Sequence, residues 1–249
     1  MTLVIAHRGA SAYAPENTLP AFELAVRQGA DMLELDVLRS ADGALVVFHD
    51  DTTERWDGRQ RLAAQCTLAE LQQLDIGGER VATLAEVCAF AREHSVRLNV
   101  ELKGAGFSAD VARMLHAERV EALVLLSSFV EAALHEFAAA SPHVPRAYLI
   151  DHDSHRPGLP QADPLDALRR VGAAAWHPSE ALPLLEQHIP RVRAAGFLVH
   201  VWTVDDPARL RALLALGVDG IITNRPDVLR GCLSDQRQAA EPPGVGRIG

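Results

Sequence analysis

Four short clusters carry the residue types that do acid–base and electrostatic chemistry: His7-Arg8, Glu34-Leu35-Asp36, His49-Asp50 and Glu101-Leu102-Lys103. An imidazole titrates near neutral pH, so two of them flanking a substrate can take and give a proton. Glu34 and Asp36 are two residues apart, which on a strand places both side chains on one face. Inside a barrel, two ionised carboxylates repel each other and are poorly solvated. Glu101, from a neighbouring strand, adds to that repulsion unless a cation sits among the three. Three hard oxygen ligands with room for water suit Mg²⁺ or Ca²⁺ rather than zinc. The other reading is structural ion pairing with Arg8, Lys103 or Arg39; with Glu101 in place, the metal is the better account. Arg8 and Lys103 are also the focused cations that hold a phosphate.

These residues need a scaffold that gathers strand ends. Eight short apolar runs recur along the chain: Leu3–Ala6, Met32–Leu38, Leu98–Leu102, Ala122–Leu126, Arg146–Ile150, Ala173–Trp176, Leu198–Val204 and Val218–Thr223. Each is bounded by Gly, Asp, Pro or Ser, as buried parallel strands are. Amphipathic stretches such as Leu19–Val26, Ala109–Leu115, Glu131–Ala139 and Leu210–Leu216 lie between them. Eight strands with intervening helices predict an α/β fold of the (β/α)₈ TIM-barrel type rather than an open sheet. Catalytic groups in such a barrel sit at the C-terminal strand ends. His7-Arg8 ends the first strand, Glu34 and Asp36 lie on the second, and Glu101 and Lys103 end the third. Ser127-Ser128, His177, Trp202 and Asn224 mark the fourth, sixth, seventh and eighth.

One connection breaks the rhythm. Nearly fifty residues separate Phe48 from Val96, where a loop and one helix would suffice. Leu45–Phe48 reads as an extra strand ending in His49-Asp50, Leu68–Leu74 as a short helix and Leu84–His94 as the barrel helix. The surplus, about 51–82, is an insertion after the second strand, and such insertions commonly cover active sites. The expected organisation is one domain over 1–235 followed by a flexible C-terminal tail, 236–249, with its Pro-Pro and three glycines.

Composition removes whole classes of function. The longest apolar run is five residues, far short of the roughly 20 that span a bilayer. Across 249 residues, 24 basic and 33 acidic side chains give a net charge of −9, which repels nucleic acid and anionic lipid. A small anionic substrate remains open if a metal or a few cations neutralise it locally. The start of the chain has no leader-like segment, and Cys66, Cys88 and Cys232 suggest neither a disulfide framework nor a zinc site. A cytoplasmic enzyme is expected; oligomeric state is not legible.

The clusters resemble the HR–ExD–HD signature of the glycerophosphodiester phosphodiesterases. The resemblance continues through Pro15-Glu16-Asn17-Thr18, Glu101-Leu102-Lys103, Leu126-Ser127-Ser128-Phe129, Trp202-Thr203-Val204 and Gly217-Val218-Asp219-Gly220-Ile221-Ile222-Thr223. It runs from Leu3 to about Leu229 and is most similar to compact cytoplasmic bacterial members. It implies a divalent cation on Glu34, Asp36 and Glu101, acid–base histidines at His7 and His49, and phosphate contacts from Arg8 and Lys103. It implies substrates such as glycerophosphocholine and glycerophosphoethanolamine, cleaved to sn-glycerol 3-phosphate and an alcohol. It also points to a cyclic glycerol phosphate intermediate, and it favours Trp202 as a wall of the glycerol pocket.

Two departures stand out. The insertion lacks an aromatic-rich stretch that many members carry before the helix matching Leu84–His94, and His177-Pro178-Ser179 departs from the Asn/His pattern at the sixth strand end. His177 is therefore left out of the site. Asn17 reads as a helix N-cap, and Glu16 as a residue within reach of the metal shell. Ser127 has neither a matched base nor a nucleophile elbow, so a covalent enzyme intermediate is disfavoured. Two other functions compete: a phospholipase D-type hydrolase of lysophospholipids, and an inert barrel that binds phosphorylated ligands. The first would want an apolar apron at the mouth, and the second the loss of a histidine or carboxylate; the sequence has neither mark.

Overall fold

The computed structural model describes residues 2–151 and 163–240. Its strands are β1 (Leu3–His7), β2 (Met32–Arg39), β3 (Leu45–Val47), β4 (Ala82–Thr83), β5 (Arg97–Leu102), β6 (Val124–Ser128), β7 (Arg146–Ile150), β8 (Ala175–Pro178), β9 (Leu198–Val201) and β10 (Gly220–Thr223). β1, β2 and β5 to β10 pair in parallel, and β1 hydrogen-bonds both β2 and β10, so the sheet closes on itself. Helices pack around it, from Leu19–Arg27 after β1 to Pro226–Ala240 after β10. The fold is a TIM barrel, as the strand spacing predicts.

Local chemistry explains where the helices start and stop. Thr83 and Glu86 form a capping box at the head of Leu84–His94. Asp163 and Asp206 cap helices that begin with Pro164 and Pro207, a residue suited to the first turn. The expected sixth barrel strand, Ala173–Trp176, begins two residues late. Gly172 closes the preceding helix at φ +60° and Ala173 N donates to Leu168 O, so pairing with β7 starts at Ala175. The seventh strand ends at Val201 instead of Val204; beyond it Trp202 makes only an isolated bridge to Ser179. The fourth strand begins at Val124, because a 3₁₀ turn occupies Glu121–Leu123.

Two cores serve the site. Ile5, Met32, Leu125, Ala147, Ala175 and Ile222, from six barrel strands, meet inside the barrel beneath its C-terminal rim. β2 overhangs the barrel, and its last residues, Val37 to Arg39, pair antiparallel with β3, which in turn pairs with β4. Val46 and Phe48 of this ribbon pack on Leu71, Leu74, Ile76 and Val81, a small separate core within the expected insertion. That core anchors the segment carrying His49 and Asp50. At the other end, Pro226–Ala240 stays helical five residues into the segment expected as a tail; residues 241–249 lie outside the described residues. No described helix is long and apolar enough to cross a membrane.

Candidate active site

The register of β1, β2 and β5 places His7 beside Glu34 and Asp36 beside Glu101. Glu34, Asp36 and Glu101 are buried, and each offers a carboxylate oxygen within 4.8 Å of the other two. Two cations reach into the cluster. Lys103 Nζ lies 3.1 Å from Glu101 Oε1 and 3.5 Å from Asp36 Oδ1. Arg8 Nε lies 3.2 Å from Asp36 Oδ2 without the alignment of a hydrogen bond, so this buried N–H still lacks an acceptor. Arg8 sits at φ +55°, an uncommon conformation for a residue with a side chain, and its backbone N–H donates to Glu34 Oε2 at 2.9 Å. Gly9 follows at φ +84°; a Cβ there would come within 2.7 Å of the Ala21 backbone.

The electrostatics show what the cluster lacks. Burial, with the charges of Asp36 and Glu101, pushes the Glu34 carboxyl well above its usual range. Burial and the Asp36 charge push Glu101 up to about 7. Burial opposes ionisation of Asp36 as well, yet Lys103 and Arg8 hold its carboxyl below the ordinary value. Three carboxylates face two cations, and two of the three resist ionising. A hard divalent ion fits this donor set, which is all oxygen and rigidly held on adjacent strands. The structural ion pairs of the other reading are present too, except that Arg39 pairs with Asp110 outside the cluster.

Both expected histidines stand at this rim, close enough for their charges to interact. His7 Nδ1 lies 2.7 Å from Asn224 Oδ1 at the end of β10. Burial, then the neighbouring Arg8, lowers the His7 pKa to about 4. His49 Nδ1 lies 2.8 Å from Asp50 Oδ1, an ion pair when the imidazole is protonated. Asp50 also accepts from Arg55 Nε at 2.7 Å and Trp56 Nε1 at 3.0 Å, both from the insertion. Arg55 stacks over the Trp56 ring and reaches Glu16, which accepts in turn from Arg8. A continuous chain of charge pairs thus runs from His49 through the insertion back to the carboxylates. A small recess, lined by His49, Glu16, Arg55 and Trp56 among others, opens at this rim.

Several sequence expectations change here. Thr18, not Asn17, caps the helix Leu19–Arg27. Asn17 instead sits at φ +58° and donates from Nδ2 to Asp36 Oδ2 at 2.9 Å. The Asn-Thr pair satisfies the capping pattern at either residue, and only the turn decides which one caps. Glu16 does not join the carboxylate cluster, because Arg8 and Arg55 hold it. Trp202 lies just past β9; it packs on the barrel interior, meets Phe129 edge-on at 5.6 Å and donates its indole N–H to His177 O. His177 is fully buried, with Nε2 2.9 Å from His200 Nδ1. Gly220 makes room for that pair, since a Cβ there would stand 2.7 Å from the His200 ring. Ser127 is buried, and its hydroxyl has no partner among the described residues. Asn17, Asp50 and Arg55 carry roles that strand-end reasoning did not assign. Asp50 alone had a local signal, its adjacency to His49.

Comparison with known proteins agrees with this geometry. The model of the glycerophosphoryl diester phosphodiesterase family matches residues 7–228. A glycerophosphodiester phosphodiesterase of Caldanaerobacter subterraneus is 33% identical over 241 residues, covering 92% of this chain and 96% of the relative. The structure of an Oleispira antarctica phosphodiesterase in complex with the product sn-glycerol-3-phosphate superposes with TM-score 0.82 at 30% identity, covering 92% of this chain and 96% of that one. The Agrobacterium tumefaciens glycerophosphodiester phosphodiesterase gives 0.78 at 29%, covering 93% and 100%. With barrel, histidines and carboxylates in place, and a family match spanning nearly the whole barrel, the chain belongs to the glycerophosphoryl diester phosphodiesterase family.

Proposed function

We propose that the protein hydrolyses glycerophosphodiesters to sn-glycerol 3-phosphate and the head-group alcohol. One observation carries the reading: two imidazoles from separate segments share a rim with three buried carboxylates and two cations. Glu34, Asp36 and Glu101 would hold a divalent cation, Mg²⁺ or Ca²⁺, which when bound supplies positive charge against the phosphoryl oxygens. Arg8 and Lys103 add fixed charge on the same side, where they would face a phosphate oxygen.

His7 and His49 divide the proton work. His7 is neutral at physiological pH, so it acts as the base that takes the proton of the glycerol hydroxyl next to the phosphorylated carbon. That oxygen attacks phosphorus from within the substrate, with a large gain in effective molarity over water. His49, paired with the Asp50 carboxylate and facing the recess, gives its proton to the leaving alcohol. Water then opens the cyclic phosphate with the two roles exchanged. Trp202 forms one wall of the glycerol pocket, its ring held by the His177 carbonyl. Cys66, Cys88 and Cys232 are free and buried, which supports a reducing, cytoplasmic setting.

The test is release of glycerol 3-phosphate from glycerophosphocholine and glycerophosphoethanolamine, with lysophosphatidylcholine as the competing substrate. A diester analogue lacking only the vicinal hydroxyl should bind within about tenfold of the parent but turn over at least a hundredfold more slowly. Equal turnover of the two would mean direct attack by water. Faster cleavage of the lysophospholipid would replace the substrate class.

A further inference from the structure

The hydrogen bonds behind His7 determine which of its nitrogens carries the proton. Asp205, between β9 and β10, accepts three times: Oδ1 from Thr223 Oγ1 and from the Asn224 backbone N–H, both at 2.8 Å, and Oδ2 from Asn224 Nδ2 at 2.6 Å. A carboxylate at neutral pH only accepts, so the amide NH₂ of Asn224 must face Asp205. The amide oxygen is then the atom 2.7 Å from His7 Nδ1, and it too can only accept. Nδ1 therefore bears the hydrogen, and in the neutral ring Nε2 keeps its lone pair. Ser11 Oγ lies 2.7 Å from both the same amide oxygen and the His7 carbonyl oxygen, and its single hydrogen serves one of these two acceptors at a time. Among the described residues Nε2 has no hydrogen-bond partner, which leaves it free for substrate.

We propose that Asp205 and Asn224 are positioning residues that hold His7 in the Nδ1–H tautomer and so present a bare Nε2 as the base. The two histidines of the site are thereby oriented by different chemistry. His49 faces a carboxylate directly, whereas His7 faces a neutral amide with the carboxylate one residue further back. An amide orients the ring without pairing a charge to its protonated form, which suits a group that must begin the reaction neutral. The charged or titratable groups around His7 include Arg8, Asp36 and His49, and Glu34 stands beside it in the β1–β2 register.

The inference rests on His7 acting as the base, and the experiment separates the two claims. Nitrogen NMR of the full-length protein labelled in histidine reads the tautomer directly, with the His7 signals identified by their loss in His7→Ala. At pH 8 the wild type should show a protonated Nδ1 and a lone-pair Nε2. Asn224→Ala and Asp205→Ala should shift His7 toward the Nε2–H form and lower kcat at least tenfold, with KM within about twofold. A wrongly protonated imidazole costs a hydrolase triad about 10⁴ in turnover, so tenfold is a low threshold. The double variant Asn224→Asp with Asp205→Asn keeps the acceptor, lets the new amide donate where Nδ2 of Asn224 did, and pairs a charge to the protonated ring. It should retain the tautomer and move the acid limb of the kcat profile upward by about one pH unit or more. An Nε2–H signal in the wild type overturns the proposal, even if a variant fails to fold. So does an Asn224→Ala protein with unchanged tautomer and kcat. Full turnover by His7→Ala would instead remove the catalytic reading and leave the tautomer assignment standing.

Discussion

Removing divalent metal should make the stability of this protein fall as pH rises, with Glu101 as a main cause. Its carboxyl is raised from 4.5 to about 7 in the folded protein. Ionising it there costs about 3 kcal/mol more than in the unfolded chain. For a raised pKa, the folded state is unpenalised below the unfolded value and loses stability as pH rises through the folded one. The loss therefore develops between about pH 4.5 and 7 and is complete near pH 8. At roughly 2–4 °C per kcal/mol for a domain of this size, the metal-free melting temperature should drop by about 6–12 °C over that window from this group. Mg²⁺ or Ca²⁺ should restore most of the drop at pH 8 and change little at pH 5. The assay is thermal unfolding of chelated and metal-supplemented protein between pH 5 and 8. Glu101→Gln removes this ionisation and should shrink the alkaline limb of the chelated protein, leaving the part due to Glu34. A chelated wild type that melts equally at pH 5.5 and 8, or a Glu101→Gln protein whose drop is as large as the wild type's, would refute the reasoning.

Three further outcomes follow from other sites. His7 and His200 are both buried with pKa values lowered to about 4, so each loses stability as pH falls from about 6.5 toward 4. Roughly 3 kcal/mol per group is at stake, and denaturant titrations of metal-supplemented His200→Asn and wild type should diverge over that range. His7→Ala and His49→Ala should each cost at least 10²-fold in turnover, measured on folded, metal-supplemented protein. Arg55→Ala frees Asp50 and Glu16 together, and it should lower kcat about tenfold or more through loss of His49 alignment, with melting temperature little changed.

Much of the architecture could be read directly from the chain. Short β-rich runs punctuated by Gly, Asp and Pro alternate with amphipathic helices, and eight such strands at this length fit a closed barrel better than an open sheet. Strand ends differ from the sequence expectation where the ladder, not the residue, decides. Ala173 looks as apolar as Ala175, yet its N–H belongs to the preceding helix. Val204 looks like strand continuation, and its N–H does reach Ile222 O, yet beyond Val201 the ladder is reduced to an isolated bridge at Trp202. The helix runs on to Ala240, although the Gly- and Pro-rich composition beyond it makes the whole segment read as a tail.

The residue types at the rim were determined by sequence, because a spacing of two on a strand and a position at a strand end are local facts. His7, Arg8, Glu34, Asp36, His49, Glu101 and Lys103 could all be named from them. Their partners could not. Asn224 stands 217 positions from His7, Asp36 stands 19 from Asn17, and Glu16 stands 39 from Arg55. Closure of β10 on β1 makes the first contact, the turn before Leu19–Arg27 the second, and the packed insertion the third. Tertiary structure then does what no residue list can: hydrogen bonds orient the His7 ring against Asn224, while burial and neighbouring charge raise the carboxyls of Glu34 and Glu101. A side chain's type sets what chemistry it can do, while its burial and neighbours set the protonation state in which it does it, and those are properties of the folded barrel alone.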